Sequence, residues 1–287
     1  MAAIDNVLLK LREIKESLTP AERKVAEYVL AFPEDVPRYS VSKLAMKSKT
    51  SDASVVRLCK TLGFEGYRQF VVSISAEIAS RAQDNGKEYT DIQPGDDLDT
   101  IIKNISLNNC RSIEDTLMVI ERDSVEKAVE LLRKAHRIMF YGIGASGLVC
   151  QDAQQKFMRI NKICHAYTDG HSQLTSASML TSDDVAVMIS NTGTTVEIVD
   201  TLNTVKETDA SVISITRYGK NILSANADVA LFFTSPEITI RSGAMGSRIA
   251  MLTIIDILFA GVASMEYKNI KKYLDKTHNV LLDKHVK

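Results

Sequence analysis

The feature that most constrains the fold is a regular alternation of strand and helix patterns that begins at Asp123. Runs rich in β-branched residues alternate with helical patterns of about ten to fifteen residues. The predicted strands are 137–143, 163–167, 184–190, 211–216 and 228–233, and the predicted helices between the first four are 146–160, 171–180 and 195–208, after a helix at 124–135. A helical crossover returns the chain to the same end of the sheet. This part of the chain is therefore predicted to be an α/β unit with a parallel sheet.

The first eighty residues show helical patterns only. Thr19, Pro20 and Glu22 form a helix start with a capping box. Two shorter helices, 40–47 and 51–62, follow and are joined by a three-residue polar turn, which is the layout of a helix-turn-helix. An ordinary α-hairpin is the alternative. The overall prediction is an all-helical N-terminal domain followed by an α/β domain.

The second of these helices has an apolar face and a polar face. Its apolar face carries Val55, Leu58, Cys59 and Leu62, and its polar face is predicted to carry Ser54, Arg57 and Thr61. Between Arg38 and Arg68 the chain has seven Lys or Arg against two acidic residues, although its formal net charge is −1. This basic patch favours DNA binding, with a solvated basic face as the alternative. The candidate DNA contacts are Lys43, Lys47, Lys49, Thr50, Ser51, Ser54, Arg57, Lys60 and Thr61.

Composition divides the chain and excludes several classes of protein. The domains are predicted at 1–82 and 98–287, with a polar linker at 83–97. Signal-peptide features are missing, and the apolar helix 245–263 contains Arg248 and Asp256, so a cytoplasmic protein without membrane contact is expected. The cysteines form no C-x-x-C pair and are interpreted as reduced packing residues: Cys59, Cys110, Cys150 and Cys164. No cofactor, metal site or catalytic residue is predicted.

Two loops contain the residues that the sequence predicts to bind a ligand. GIGASG at 142–147 and SNTGTT at 190–195 each follow a strand and open a helix. Helix N-termini and hydroxyl groups attract anions, and parallel strands end at the same edge, so both loops are expected to bind one phosphate. The first loop also matches the dinucleotide fingerprint, with Asp169 available for a ribose. A sensor of NAD(H) is therefore one alternative.

The motifs GIGASG and SNTGTTVE resemble those of the sugar isomerase (SIS) domain, and the helical segments 22–30 and 40–70 resemble the RpiR-type helix-turn-helix. Together they resemble RpiR-family transcriptional regulators over almost the full length. The segments 144–156 and 241–248 look closest to a MurR-like branch of amino-sugar regulators. The resemblance implies a three-layer α/β SIS domain. It also implies a DNA-binding transcriptional regulator of carbohydrate metabolism that is controlled by a phosphorylated sugar and is not an enzyme.

The resemblance also assigns roles to residues. Phosphate-contacting hydroxyls are implied at Ser146, Ser190, Thr192 and Thr195, with close backbone approach at Gly144 and Gly193, and Asn191 is a further candidate effector contact. Asp169 and His171 are candidates for sugar hydroxyls, and Glu197 matches an acidic position whose other role is to favour the first helical turn. Thr192 replaces a usual serine and keeps the hydroxyl. Arg241 and Arg248 are effector or subunit contacts.

Three further expectations follow from the resemblance. The partners are an operator in double-stranded DNA and a phosphorylated sugar. The protein is expected to form a homodimer or homotetramer, because palindromic operators require at least a dimer. SIS domains also catalyse reactions, so an isomerase or lyase with His171 or Glu197 as the base is the other alternative.

Overall fold

The computed structural model describes residues 7–83, 95–235 and 244–280. The chain forms two compact units, which we call the helical unit and the sheet unit. The helical unit comprises Met1–Leu107 with Tyr218–Lys220, and the sheet unit comprises Asn108–Arg217 with Asn221–Lys287. The division falls between Leu107 and Asn108, downstream of the linker that composition predicts.

The helical unit contains the predicted helix that starts after Thr19 and the two predicted helices of the helix-turn-helix, together with one helix before them and one after them. Its elements are α1 (Val7–Ile14), α2 (Pro20–Ala31), α3 (Val41–Lys47), α4 (Asp52–Thr61) and α5 (Tyr67–Gln83), with 3-10 turns at Lys15–Ser17 and Pro33–Arg38. The predicted capping box of α2 is present, because Thr19 Oγ1 accepts from the Glu22 amide and the Glu22 carboxylate accepts from the Thr19 amide. Fully buried side chains from these helices, among them Val25, Leu44 and Phe70, form one core.

The sheet unit has the predicted alternation of strands and helices. Its elements are α6 (Leu98–Val119, shared with the helical unit), α7 (Arg122–Lys134), β1 (Arg137–Tyr141), α8 (Ala145–Arg159), β2 (Ile163–Tyr167), α9 (Gly170–Ala177), β3 (Asp184–Ser190), α10 (Val196–Lys206), β4 (Ser211–Arg217), α11 (Ile222–Asn226), β5 (Val229–Phe233), α12 (Met245–Met265) and α13 (Tyr267–Asn279). All four strand pairings are parallel, in the order β2-β1-β3-β4-β5. The predicted α/β class with a parallel sheet is confirmed.

Helices cover both faces of the sheet. One core packs side chains of α7, α8 and α12 against alternate strand residues such as Phe140 and Ile189. The other packs α9, α10 and α11 against Tyr141 and Met188. The chain therefore leaves β1 on one face and leaves β3 on the other. In this strand order the crevice beyond the carboxyl ends of β1 and β3 is the switch point where such sheets bind ligands.

The apolar sequence of α12 is explained by its burial in the sheet unit. By length and composition it is the one helix among the described ranges that is apolar enough to cross a membrane. Eight of its residues are buried, and most belong to the core between α7, α8 and the sheet. Packing of this kind explains the apolar composition. Asp256 lies on its exposed side, where its carboxylate accepts a charged contact from Lys156 at 2.7 Å. Arg241 lies outside the described residues.

The four cysteines do not share one role. Cys59 and Cys150 are buried, as expected, and Cys164 is half-buried, whereas Cys110 is exposed, so its interpretation as a packing residue is wrong. It lies on α6, which buries only four side chains along its length. All four thiols are free.

Candidate functional site

The loop after β1 is shaped by close backbone packing. A Cβ on Gly142 would lie 2.7 Å from Cys150 Sγ and 2.9 Å from the Ser146 carbonyl oxygen, so only glycine fits there. Gly144 has a φ of 61° and precedes α8, whose first-turn amides lack intrahelical acceptors at the carboxyl edge of the sheet. Ser146 is buried, and its hydroxyl lies 4.0 Å from the sulfur of Met251. The groups of this loop that are available to an anion are therefore mainly backbone amides, not the Ser146 hydroxyl.

The loop after β3 is held by its own hydroxyl groups. Ser190 Oγ accepts from the Gly193 amide at 3.1 Å and lies 3.2 Å from Thr195 Oγ1. Thr192 Oγ1 accepts from the Thr194 amide at 3.3 Å. Asn191 Oδ1 is buried and has no hydrogen-bond partner among the described residues. The loop is thus preorganised before α10 begins and contains one acceptor that a ligand could satisfy.

The loop after β2 approaches the start of α10. Asp169 Oδ1 accepts from the Ser172 amide at 2.9 Å and caps α9, and this hydrogen bond lowers the pKa of Asp169. His171 is exposed on the first turn of α9. A Cβ on Gly170 would lie 3.4 Å from Glu197 Cγ, so the Glu197 side chain lies over this glycine. The structure therefore brings Glu197 beside the loop that carries Asp169 and His171.

Two residues that sequence reasoning missed support these loops. Gln173 is fully buried, and its amide nitrogen donates to the carbonyl oxygens of Gly142 and Tyr167 at 3.2 and 2.9 Å. Asn221 caps α11 through its Oδ1, which accepts from the Ser224 amide at 2.8 Å. The cap could have been identified from Asn followed by Ser three positions later. For Gln173 the sequence offers no signal.

The recognition-helix candidate α4 has the predicted apolar face. Val55, Leu58 and Cys59 are fully buried and Leu62 is nearly so. The placement of Ser54 on the outward face is wrong, because only 4% of Ser54 is exposed and its hydroxyl lies 3.0 Å from Ser51 Oγ. The position follows the N-cap by three residues and turns toward the cap.

The remaining candidates of α4 are on the outside. Arg57, Lys60 and Thr61 are exposed. The Thr61 hydroxyl donates to Glu22 Oε1 at 3.0 Å and thereby joins α4 to the first turn of α2. Arg57 and Lys60 form no salt bridge with a described acidic residue, although the charge of Arg57 is among the interactions that lower the pKa of Glu22.

The polar side chains of the turn between α3 and α4 form hydrogen bonds within the turn and with the start of α4. Thr50 Oγ1 lies 2.9 Å from Ser48 Oγ, and the Thr50 amide donates to the Ala45 carbonyl at 2.8 Å. Ser51 Oγ accepts from the Ser54 amide and caps α4. Lys49 has a left-handed φ of 54°. The lysines around this turn are exposed and form no salt bridge within the described residues: Lys43, Lys47 and Lys49.

Comparison with known families matches both units. The family model described as "Helix-turn-helix domain, rpiR family" matches residues 5–81 of this chain. The family model described as "SIS domain" matches residues 131–261. A regulator from Caldanaerobacter subterraneus subsp. tengcongensis, described as an uncharacterized HTH-type transcriptional regulator, is 44% identical over 96% of this chain and 97% of its own length.

Two further relatives carry more specific names. The HTH-type transcriptional regulator HexR of Pseudomonas aeruginosa is 33% identical over 90% of this chain and 89% of its own length. The solved structure of the Vibrio vulnificus NanR protein complexed with ManNAc-6P is 27% identical, covers 98% of this chain and all of its own, and has a TM-score of 0.62. With both family models matched in order and relatives similar over nearly the full length, this chain belongs to the rpiR family of helix-turn-helix transcriptional regulators that carry a SIS domain.

Proposed function

We propose that this regulator binds operator DNA through α3 and α4 and senses a phosphorylated sugar in the crevice at the carboxyl ends of β1 and β3. The observation that carries the proposal is the convergence of two glycine-and-hydroxyl loops at the switch point of the sheet. Each loop opens a helix, so two helix N-termini and their amides serve one anion.

Phosphate recognition would rest mainly on the backbone. The first turns of α8 and α10 supply amides, and the exposed Thr192 adds a hydroxyl. Ser190 and Thr195 hold the second loop in shape, and because their mutual hydrogen bond uses the proton of only one hydroxyl, the other hydroxyl can still donate to a phosphate. The rest of the sugar would meet Asp169, His171 and Glu197, while the unpartnered Asn191 Oδ1 would accept from a sugar hydroxyl.

DNA recognition would use the exposed basic side chains of the helical unit. Arg57 and Lys60 are the candidates on α4 for base edges or phosphates, and the lysines around the turn are candidates for the phosphate backbone. Thr50 and Ser51 would contribute by shaping the turn. A homodimer or homotetramer is proposed because each palindromic operator presents two half-sites. Such a DNA partner implies action in the cytoplasm.

The protein is proposed to sense its ligand without converting it. His171 and Glu197 are the candidate bases of a rival isomerase or lyase, yet both side chains are exposed rather than enclosed in a desolvated pocket. A dinucleotide sensor would use Asp169 for a ribose, and because the cap of α9 occupies only Asp169 Oδ1, this rival is tested by including NADH in the ligand screen. Relatives named as transcriptional regulators support the same interpretation.

A thermal-shift screen of sugar phosphates on the full chain tests the proposal. ManNAc-6P, other hexose and amino-sugar phosphates, their unphosphorylated sugars and NADH would be compared, with product analysis on every hit. A phosphate ester should raise the melting temperature and remain unconverted, because ligand binding to the native state adds stability. A stabilising NADH, or a product, would support the rival functions instead.

A further inference from the structure

The buried amide of Gln173 joins three elements of the proposed effector site. Its nitrogen donates to Gly142 O in the loop after β1 and to Tyr167 O at the end of β2. Its oxygen accepts from the hydroxyl of Thr201, at 3.2 Å, on the second turn of α10. The side chain is completely buried, so it touches no solvent and no ligand.

The orientation of this amide is fixed by its partners. Both neighbours of the nitrogen are carbonyl oxygens, which only accept, so the NH₂ group must face them. The oxygen then faces Thr201, whose single hydroxyl proton is shared between Gln173 Oε1 and the Glu197 carbonyl at 2.7 Å. A flipped amide would set oxygen against two carbonyl oxygens. Only one arrangement satisfies the network.

We propose that Gln173 is a positioning residue of the effector site, which fixes the loop after β1 relative to the first turns of α10. The inference rests on the proposed function, because it assigns to Gln173 the alignment of the two phosphate loops. The Gly142 amide also donates to Tyr167 O, at 3.4 Å, which extends the pairing of β1 with β2 by one residue. Gln173 bridges the carbonyl oxygens of the same two residues.

Neighbouring contacts explain why this link matters. Gly147 on α8 is tightly packed, since a Cβ there would lie 3.0 Å from Thr168 Cγ2 and 3.1 Å from Gly142 O, so a larger residue would require these neighbours to shift. Glu197 lies over Gly170. The three loops are thus packed against one another, and Gln173 supplies the hydrogen bonds that set their spacing. Without these hydrogen bonds the spacing between the N-termini of α8 and α10 is no longer fixed. A single phosphate is then no longer bound by both helix N-termini.

The test measures the affinity of the full chain for inorganic phosphate and for ManNAc-6P by calorimetry. Gln173→Met keeps the length of the side chain and removes all three hydrogen bonds. It should weaken binding by about tenfold or more, as residues that orient a site from behind commonly do. Thr201→Val should weaken binding by about threefold to fivefold. The double variant should be no weaker than Gln173→Met alone, because both changes break one network.

The control separates positioning from general loss of stability. Arg137→Met breaks the ion pair with Asp184 at the opposite edge of the sheet, so it should lower stability and leave phosphate affinity unchanged. Wild-type affinity in folded Gln173→Met, or fully additive effects of the two substitutions, would overturn the inference. If Gln173→Met does not fold, wild-type affinity in Thr201→Val overturns it. A wild type that binds neither probe nor any sugar phosphate would refute the proposed function itself.

Discussion

Asn221 occupies the space that a side chain at residue 193 would need. A Cβ built on Gly193 would overlap the carboxamide of Asn221, and Gly193 also has a left-handed φ of 65°. The Asn221 carboxamide is held in place, because its Oδ1 accepts from the Ser224 amide and its Nδ2 donates to Thr216 Oγ1 at 3.0 Å. The loop after β3 is therefore shaped by α11 as well as by its own hydroxyls.

Gly193→Ala should distort this loop. Overlap with Asn221 and the left-handed backbone together should cost about 1–3 kcal/mol of unfolding free energy, and phosphosugar binding should be lost. Operator binding should persist. Asn221→Ala in the same chain should restore part of the affinity by removing the two closest contacts, those with Oδ1 and Cγ of Asn221. The contact with the Cβ of residue 221, at 2.9 Å, and the backbone cost of about 1 kcal/mol should remain. The affinity for the phosphosugar would be measured by calorimetric titration. A wild-type affinity in Gly193→Ala would contradict this account of the loop.

The ion pair of Arg137 with Asp184 should govern part of the acid stability. Burial alone would raise the pKa of Asp184, but hydrogen bonds from Arg137 and Thr181 outweigh it and lower the pKa to about 2. Because an ordinary aspartate titrates near 3.8, the resulting stabilisation of about 2 kcal/mol is complete above about pH 4. It should be lost as the pH falls through 2.

Arg137→Met should therefore lower stability at neutral pH and raise the pH of acid unfolding, as followed by circular dichroism. Loss of one partner of a buried pair typically costs about 3 kcal/mol or more. Arg122→Met is the matched control, because Arg122 pairs with Glu126 on an exposed helix surface, where solvent screening leaves such a pair little effect on stability. Equal effects of the two substitutions would show that burial of Asp184 does not matter.

Arg57→Ala should weaken specific operator binding by about 1–3 kcal/mol, because Arg57 is exposed on α4 opposite the buried face. Phosphosugar affinity should not change. Lys127→Ala, which removes one exposed charge from α7, is the control and should leave the gel-shift midpoint near that of the wild type. An unchanged midpoint for Arg57→Ala would exclude this residue from the DNA interface.

The lysines around the turn should act through the DNA backbone. Replacing Lys43, Lys47 and Lys49 by Gln should weaken binding to specific and unrelated DNA alike. If all three contact phosphates, the slope of log affinity against log salt should become shallower by up to about 3. An unaltered slope in fluorescence anisotropy titrations would mean that these side chains do not contact phosphates.

The sequence predicted the sheet and the two loops because both depend on local patterns. β-Branched runs gave β3 at its observed bounds, Asp184–Ser190, and the alternation with helices gave the parallel direction. The apolar stripe of α4 was read correctly from its helical spacing. The short helix α11 was missed because its five residues are too few to show a period.

The errors and omissions come from contacts between distant residues or from a cap. Ser54 was expected outside because a helical projection does not include the turn toward Ser51. Gln173 reaches Gly142 and Thr201, which are 31 and 28 residues away along the chain, so no local pattern reveals its role. Contacts within one segment could be predicted, whereas the network behind the loops required the fold.

The most direct test of the central claim measures how the phosphosugar identified in the screen changes the affinity for operator DNA. A labelled operator fragment, obtained by selection of bound DNA, would be titrated in fluorescence anisotropy with wild type and with Ser190→Ala/Thr192→Val. This double variant removes the two hydroxyls that accept from the Gly193 and Thr194 amides and leaves the helical unit unchanged. We expect equal DNA affinity for both proteins and a response to the phosphosugar only in the wild type. A response of the variant at the wild-type effector concentration would contradict the assignment of this loop to the effector site.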